Sequence, residues 1–401
     1  MKPELLAPAG NLTCLRAAIQ GGCDAIYFGI NELNMRAGAK NFALDDLDLV
    51  ADVCRTHDVR AYLTLNTILY DQEMTKAEAI LEKCRNKVDA VICWDPGIIQ
   101  LCQKLDVPFH ISTQASVANC AAAGFYKSLG AQRIVLAREC TLSDIQRIRK
   151  QTGISLEVFV HGAMCVSISG RCFLSQFNHG KSANRGECLQ NCRREYHITS
   201  NDDNSEYVLG DNYVLSAKDL CTLPFFEKLL SAGIDAVKIE GRNRNPEYVR
   251  TVVAAYRTAI DAWHEGKLSD SLKHRLVREV RQVYNRDFSN GFYLGKPIGD
   301  FTDTSGSKAT RKKTPVGRVK NYFSRAKAVE ILIQDHVFAA GDTLMIQGNT
   351  TGVIIFAANE IRQNEQPVSA VSRGIATVAL EQKARVNDKV FRLEPTQDKR
   401  T

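Results

Sequence analysis

Eight short runs of β-branched and apolar residues recur along the first 240 residues, and this repeat constrains the fold more than any other feature. They begin at Glu4, Ala25, Arg60, Ala90, Phe109, Arg133, Glu157 and Ala236. Between them lie stretches such as Leu44 to Thr56, Ala77 to Cys84 and Ser143 to Gln151, whose apolar residues fall at three- and four-residue steps, as in a helix packed on one face. Small turns built on glycine, at 21–24, 130–131 and 233–235, bring the chain back into the next run, where a helix ends on a left-handed residue. Eight βα units favour a closed (β/α)8 TIM-like barrel over an open doubly wound sheet.

The repeat breaks once. Between strands seven and eight lie ~75 residues, against the usual ~20 to 30 of a βα unit. In such a barrel the loops after the strands build the active site. Polar residues just past strand ends therefore become candidates: Asn66, Asp95, Gln114, Arg138, Glu139, His161, Glu240 and Arg242. Any one of them also fits a strand-end cap or a solvated rim. Together they make a polar mouth able to bind a small anion through Arg138 and Arg242, because a guanidinium pairs bidentately with carboxylate.

Past the barrel, Pro246 to Gly266 and Leu272 to Tyr284 read as helices, with Tyr256 and Trp263 as core residues. A polar, basic stretch follows, and then six strand-like runs separated by turns such as Gly341-Asp342 and Asn387-Asp388. That pattern predicts a small antiparallel β-barrel. The expected organisation is a barrel over 1–265 with a cysteine-rich insert at 161–220, a helical extension at 266–301, a linker at 302–314 and a second domain at 315–401.

Thirteen cysteines in 401 residues are too sparse for a disulfide scaffold, and the number is odd. The chain also starts without the basic-then-apolar layout of a secretory signal and has no membrane-length apolar run. Cytosolic thiols or metal ligands are the better reading. Five cysteines fall between strands seven and eight: Cys165, Cys172, Cys188, Cys192 and Cys221. Their gaps suit a zinc ribbon poorly, whereas iron–sulfur ligation tolerates looser spacing within Gly, Ser and Asn-rich backbone such as Ser169-Gly170-Arg171 and Asn184-Arg185-Gly186. Cys221 is an alternative to Cys192 as the fourth ligand. The other eight sit mostly at apolar positions, where a thiol acts as a small hydrophobe.

The run from Glu157 to Ser175 (EVFVHGAMCVSISGRCFLS) resembles the signature of the U32 family, the so-called collagenase-like peptidases. Pro3 to Gly10, Asn184 to Arg193, Ser216 to Leu220 and Lys238 to Arg242 resemble the same family, so the likeness spans roughly residues 1 to 300. It implies a barrel holding a 4Fe-4S cluster on Cys165, Cys172, Cys188 and Cys192, with relatives that hydroxylate tRNA wobble uridine or ribosomal RNA cytidine using prephenate. The wobble-uridine branch is the most similar, which favours tRNA over rRNA and 5-hydroxyuridine as product. Family members differ at the position of Cys221, whereas this chain has both Cys192 and Cys221.

The resemblance carries two other readings: a collagenase-like peptidase, and a non-catalytic member of a hydroxylase complex with a partner of the same family. A His-Glu-x-x-His motif is absent, and a thiolate bound to iron is not free to attack a peptide. The hydroxylase reading assigns low-specificity catalytic roles to His161, Arg138, Glu139, Glu240 and Arg242, and co-substrate binding to Asn66, Gln114, Arg138 and Arg242. The net charge of +7 permits RNA contact. Candidate positions are Lys308, Arg311, Lys312, Lys313, Arg318 and Lys320 around the linker, and Lys181, Arg185, Arg193 and Arg194 in the insert.

Overall fold

The computed structural model describes residues 2–396 apart from 39, 169–170, 195–196, 200, 204–205, 209–214 and 305. Ser169 and Gly170 of the insert, and residues 397–401 of the expected second domain, thus lie outside the described residues.

The eight predicted strands form one closed parallel barrel. They are β1 (Glu4–Ala9), β2 (Ala25–Phe28), β3 (Arg60–Thr64), β4 (Ala90–Cys93), β5 (Phe109–Ile111), β6 (Arg133–Val135), β7 (Ser155–Gly162) and, after the insert, β11 (Ala236–Ile239), which pairs with both β7 and β1. Helices α1 (Leu12–Gln20), α2 (Leu47–Thr56), α3 (Met74–Cys84), α4 (Pro96–Lys104), α5 (Cys120–Ser128) and α6 (Leu142–Thr152) cross between consecutive strands. Their starts are written locally. Asn11 accepts the Cys14 N–H at 2.9 Å and Asp95 accepts the Gly97 N–H at 2.9 Å, while Thr141 and Asp144 cap each other reciprocally. Asp95 therefore serves α4 as a cap.

Strand alternation sorts the barrel into two faces. Leu5, Ile26, Leu63, Val91 and Ile134 point outward into the main core under the helices. Leu6, Tyr27, Tyr62 and Ile92 point inward, together with a run of buried charges. Arg133 Nη1 lies 2.5 Å from Glu4 Oε1 and 3.3 Å from Glu157 Oε2, and Lys238 Nζ lies 2.8 Å from Glu157 Oε1. Two carboxylates thus balance two cations along the axis.

The insert contains α7 (Leu174–His179), a short hairpin of β8 (His197–Thr199) and β9 (Glu206–Val208), and β10 (Asp219–Cys221). β10 runs antiparallel to the end of β7, pairing Cys221 with His161. A short helix, α8 (Phe226–Leu230), returns the chain to β11. Helices α9 (Pro246–His264) and α10 (Asp270–Arg281) follow, and β12 (Phe288–Ser289) pairs with β10. Tyr256 is fully buried on α9, as expected, and Trp263 packs half-buried against the same core.

The linker expected at 302–314 is shorter than its composition suggests. Arg311 to Thr314 already belong to β13 (Arg311–Phe323), where they pair with residues 392–395. The remaining strands are β14 (Ala328–Ile333), β15 (Phe338–Ala339), β16 (Thr343–Gly348), β17 (Gly352–Ala357), β18 (Ile361–Gln363), β19 (Gln366–Pro367), β20 (Ala370–Val371), β21 (Gly374–Ala379) and β22 (Lys389–Pro395). Eight of these ten build an antiparallel sheet around its own apolar core, and β15 pairs with β20. The sheet is tied to the barrel by α1 and α9. Gln20 Nε2 donates to Thr351 O and its Oε1 accepts from Val353 N, both at 2.8 Å, while Glu247 takes Gln347 at 2.7 Å and Lys313 at 2.8 Å. Among the described residues no helix is long and apolar enough to cross a membrane.

Candidate functional site

The carboxyl ends of the barrel strands and the insert enclose a cavity of about 770 Å³. Its floor is the inward face of the barrel: Tyr27, Thr64, Ile92, Val135, Phe159 and Lys238. Its lid is the insert, which two arginines fasten. Arg185 forms an ion pair with Glu73 and donates to Ile68 O at 2.6 Å, while Arg193 donates to Ser216 Oγ at 2.8 Å and Ala217 O at 2.5 Å. Gly186, at φ +90°, allows closest approach: a Cβ there would sit 2.4 Å from Asn34 O and 2.7 Å from Ala37 N.

Cys165, Cys172, Cys188 and Cys192 all line this cavity. Burial pushes the Cys192 thiol up; Arg193 opposes this, and Cys165, Cys188 and Cys172 add to it. Cys192 is thus within electrostatic reach of the other three thiols. Asn184 Oδ1 accepts the Cys172 N–H at 2.8 Å and holds that loop. Four sulfur donors edging one space are a donor set suited to a soft metal group. Among the described residues no three His, Cys, Asp or Glu side chains converge on a single-ion position.

Cys221 lies elsewhere. It is buried on β10, with Tyr256 Oη 4.0 Å from its sulfur, and burial pushes its pKa up to about 11. The structure thus separates Cys221 from the four cavity thiols. The other cysteines are buried apart from the half-buried Cys120, matching their apolar sequence contexts.

The cavity is strongly cationic: Arg36, Arg138, Lys181, Arg193, Lys238, Arg242, Arg244 and Arg286 line it, against Glu187 and Glu240. Most of these cations have internal partners. Arg36 pairs with Glu240 at 3.3 Å, and Arg286 and Arg244 lie 3.6 and 3.9 Å from the buried Asp219. Arg138 and Arg242 have no carboxylate among their described contacts. Arg242 Nη1 donates to Thr64 Oγ1 at 2.9 Å and Asn34 Oδ1 at 3.1 Å; Arg138 Nη1 donates to Ala163 O at 2.5 Å and lies over the Phe159 ring at 4.1 Å. Each keeps a buried Nε without a partner, and so does the buried Gln114 Oε1. Burial alone would raise the Glu240 carboxyl, yet Arg36, Arg138 and Arg242 together hold it down to about 2. Burial depresses Arg242 to about 10, the mark of a guanidinium lacking a full counter-charge.

Asn66 and Gln114 line the cavity with these groups, and Asn66 Oδ1 takes the Met35 N–H at 3.1 Å. Three expected residues do not, and one of them is Asp95, the cap of α4. Glu139 is exposed outside the cavity. His161 is buried on the far side of the wall, its ring 5.4–6.0 Å from those of Phe288, Tyr256 and Tyr248, and burial depresses its pKa to about 3. Alternation from Glu157 and Phe159 would send His161 inward. The register shifts by one residue here: Lys238 faces Phe159 but Ile239 faces His161, and the extra Val160 turns the imidazole outward. His161 therefore does not share the cavity lining with Cys165.

The sequence signature of peptidase family U32 matches residues 10–302. The chain belongs to that family. A collagenase of Porphyromonas gingivalis is 37% identical over 98% of this chain and 99% of its own length. The tRNA hydroxylation protein P1 of Bacillus subtilis is 35% identical, over 86% and 84%. The 23S rRNA 5-hydroxycytidine C2501 synthase of Escherichia coli is 33% identical over 90% of this chain and 54% of its own.

Several site residues of this U32 protein escape a strand-end search. Arg36 and Asn34 come from the loop after β2, and Lys238 sits inside β11 rather than past it. Only the closed barrel brings the Asn34-Met35-Arg36 segment to Arg242. Most cations proposed for RNA are engaged internally: Arg185 and Arg193 fasten the insert, Lys308 pairs with Asp303, Lys312 with Glu394 and Lys313 with Glu247.

Proposed function

We propose that this U32 protein hydroxylates RNA, forming 5-hydroxyuridine at the tRNA wobble position, with prephenate as hydroxyl donor and a 4Fe-4S cluster on Cys165, Cys172, Cys188 and Cys192. The observation that carries the reading is the meeting in one cavity of four thiols with the buried Arg242 and the half-buried Arg138, each of which keeps an Nε without a hydrogen-bond partner. The donor set fits the group: four soft ligands, with Cys172 held by Asn184. Two relatives named for RNA hydroxylation support the substrate class.

When bound, the cluster supplies redox or Lewis-acid chemistry at the cavity wall. The protein's own groups do the rest. Arg242 and Arg138 pair with the carboxylates of prephenate, and Gln114 Oε1 accepts a hydrogen bond from its hydroxyl. Tyr27, Ile92 and Phe159 offer the ring an apolar floor. Glu240 stays ionised between its arginines and holds Arg36 at the rim. This geometry favours a carboxylate-bearing small molecule over a peptide, because cations outnumber acids in the cavity lining and Arg242 is buried there.

The test is nucleoside mass spectrometry of tRNA and rRNA from a strain lacking the gene, complemented with wild type or Cys165→Ala. Loss of 5-hydroxyuridine derivatives, restored by wild type alone, is expected. Full retention in the deletion strain overturns the RNA reading. Protein purified anaerobically without iron and sulfide overturns the cluster.

A further inference from the structure

Several insert residues at the cavity expose apolar side chains. Val166, Ile168 and Leu189 line the cavity and are also 44–49% exposed. Beside them Leu174 lines the cavity and Ser175 is buried, while Phe173, at the N-cap of α7, and Phe177, within it, are exposed. Their rings lie 6.1 Å apart at 54°, and Phe177 is 86% exposed, so its faces are uncovered. A single exposed apolar side chain needs no explanation; two aromatics grouped beside these apolar residues do.

Charge decides the occupant. From Cys165 to Arg194 the chain has five Arg and Lys residues against one acid, Glu187, which Lys181 already pairs. Arg171 and Arg194 are exposed. A basic segment bearing open aromatic rings matches the requirements of single-stranded nucleic acid, whose bases stack while cations hold its phosphates.

We propose that Phe173 and Phe177 form a stacking platform for an unpaired base of the RNA, with Arg171 and Arg194 holding the adjoining phosphates. The proposal rests on the RNA reading above and adds the residues that present the loop to the cavity. Stacking is sequence-tolerant, so the platform positions the RNA and leaves base selection to the cavity.

The test uses the full-length protein, purified anaerobically, with a fluorescein-labelled anticodon stem-loop as probe. Phe177→Ala and Phe177→Leu are expected to weaken RNA binding by about tenfold and to raise KM for RNA while leaving kcat and iron content unchanged. Phe177→Trp should retain wild-type affinity. Equal affinity for the Leu and Trp variants overturns the platform in favour of simple apolar docking, as by a protein partner. If wild type modifies RNA and Phe177→Ala does so with the same KM, the platform falls and the RNA reading stands. If wild type neither binds nor modifies RNA, both fall.

Discussion

Lys238 Nζ donates to Glu157 Oε1 at 2.8 Å inside the barrel wall, with both side chains almost wholly buried. Arg133 shares the same carboxylate and links it to Glu4. A buried pair contributes little net stability while intact, but removing one partner leaves an uncompensated charge. Glu157→Gln is expected to destabilise the barrel by about 3–5 kcal/mol, read as a lower urea midpoint. Replacing Glu157 by Gln and Lys238 by Met together should recover much of the loss. An unchanged midpoint for the single variant would show that the charges are not coupled.

Arg242 reaches the cavity through a guanidinium held by Thr64 and Asn34. Arg242→Lys keeps the charge and loses the fork. Prephenate binding, measured by titration calorimetry, is expected to weaken by about tenfold, and further in Arg242→Gln. Equal affinity in wild type and Arg242→Lys would remove Arg242 from carboxylate recognition.

Cys192 and Cys221 give opposite expectations. Cys192→Ala should lose iron and acid-labile sulfide because it edges the cavity. Cys221→Ala should keep both and cost only about 1 kcal/mol of stability, since its sulfur packs beneath Tyr256. Iron and sulfide per chain decide between them; metal loss in Cys221→Ala alone reverses the assignment.

His161 and His110 are both pushed down to about 3 by burial, with smaller contributions from Arg244 and Arg133 respectively. The fold keeps each neutral, whereas the unfolded chain takes up a proton near pH 6.5. Their contribution is therefore full above about pH 6.5 and is lost as pH falls towards about 3, at about 1.4 kcal/mol per pH unit for each ring. Urea denaturation between pH 7 and pH 5 measures this slope. His161→Phe should remove one ring's share, and identical slopes in wild type and variant would count against a neutral His161.

The pattern of apolar runs determined the barrel: a period of two flanked by a period near 3.6, repeated eight times, has one compact closed solution. Local chemistry also determined the helix caps at Asn11, Asp95 and Thr141, and six of the ten second-domain strands; the other four, β15, β18, β19 and β20, are only two or three residues long. Cysteine context set Cys54, Cys84, Cys93, Cys102 and Cys120 apart from the insert thiols, because each falls on the apolar face of a helix or strand. The U32 signature named the family.

Tertiary structure alone decided which mouth residues meet. Arg242 is joined by Asn34 and Arg36 from a loop some 200 residues away, a closeness that exists only because β11 pairs with β1 and β1 with β2. The single extra residue Val160 turns His161 away from the cavity, and a bulge is a matter of register between strands, which no local sequence pattern specifies. Cys221 was equivalent to Cys192 on the page of the sequence. Pairing of β10 with β7 buried one and left the other at the cavity wall.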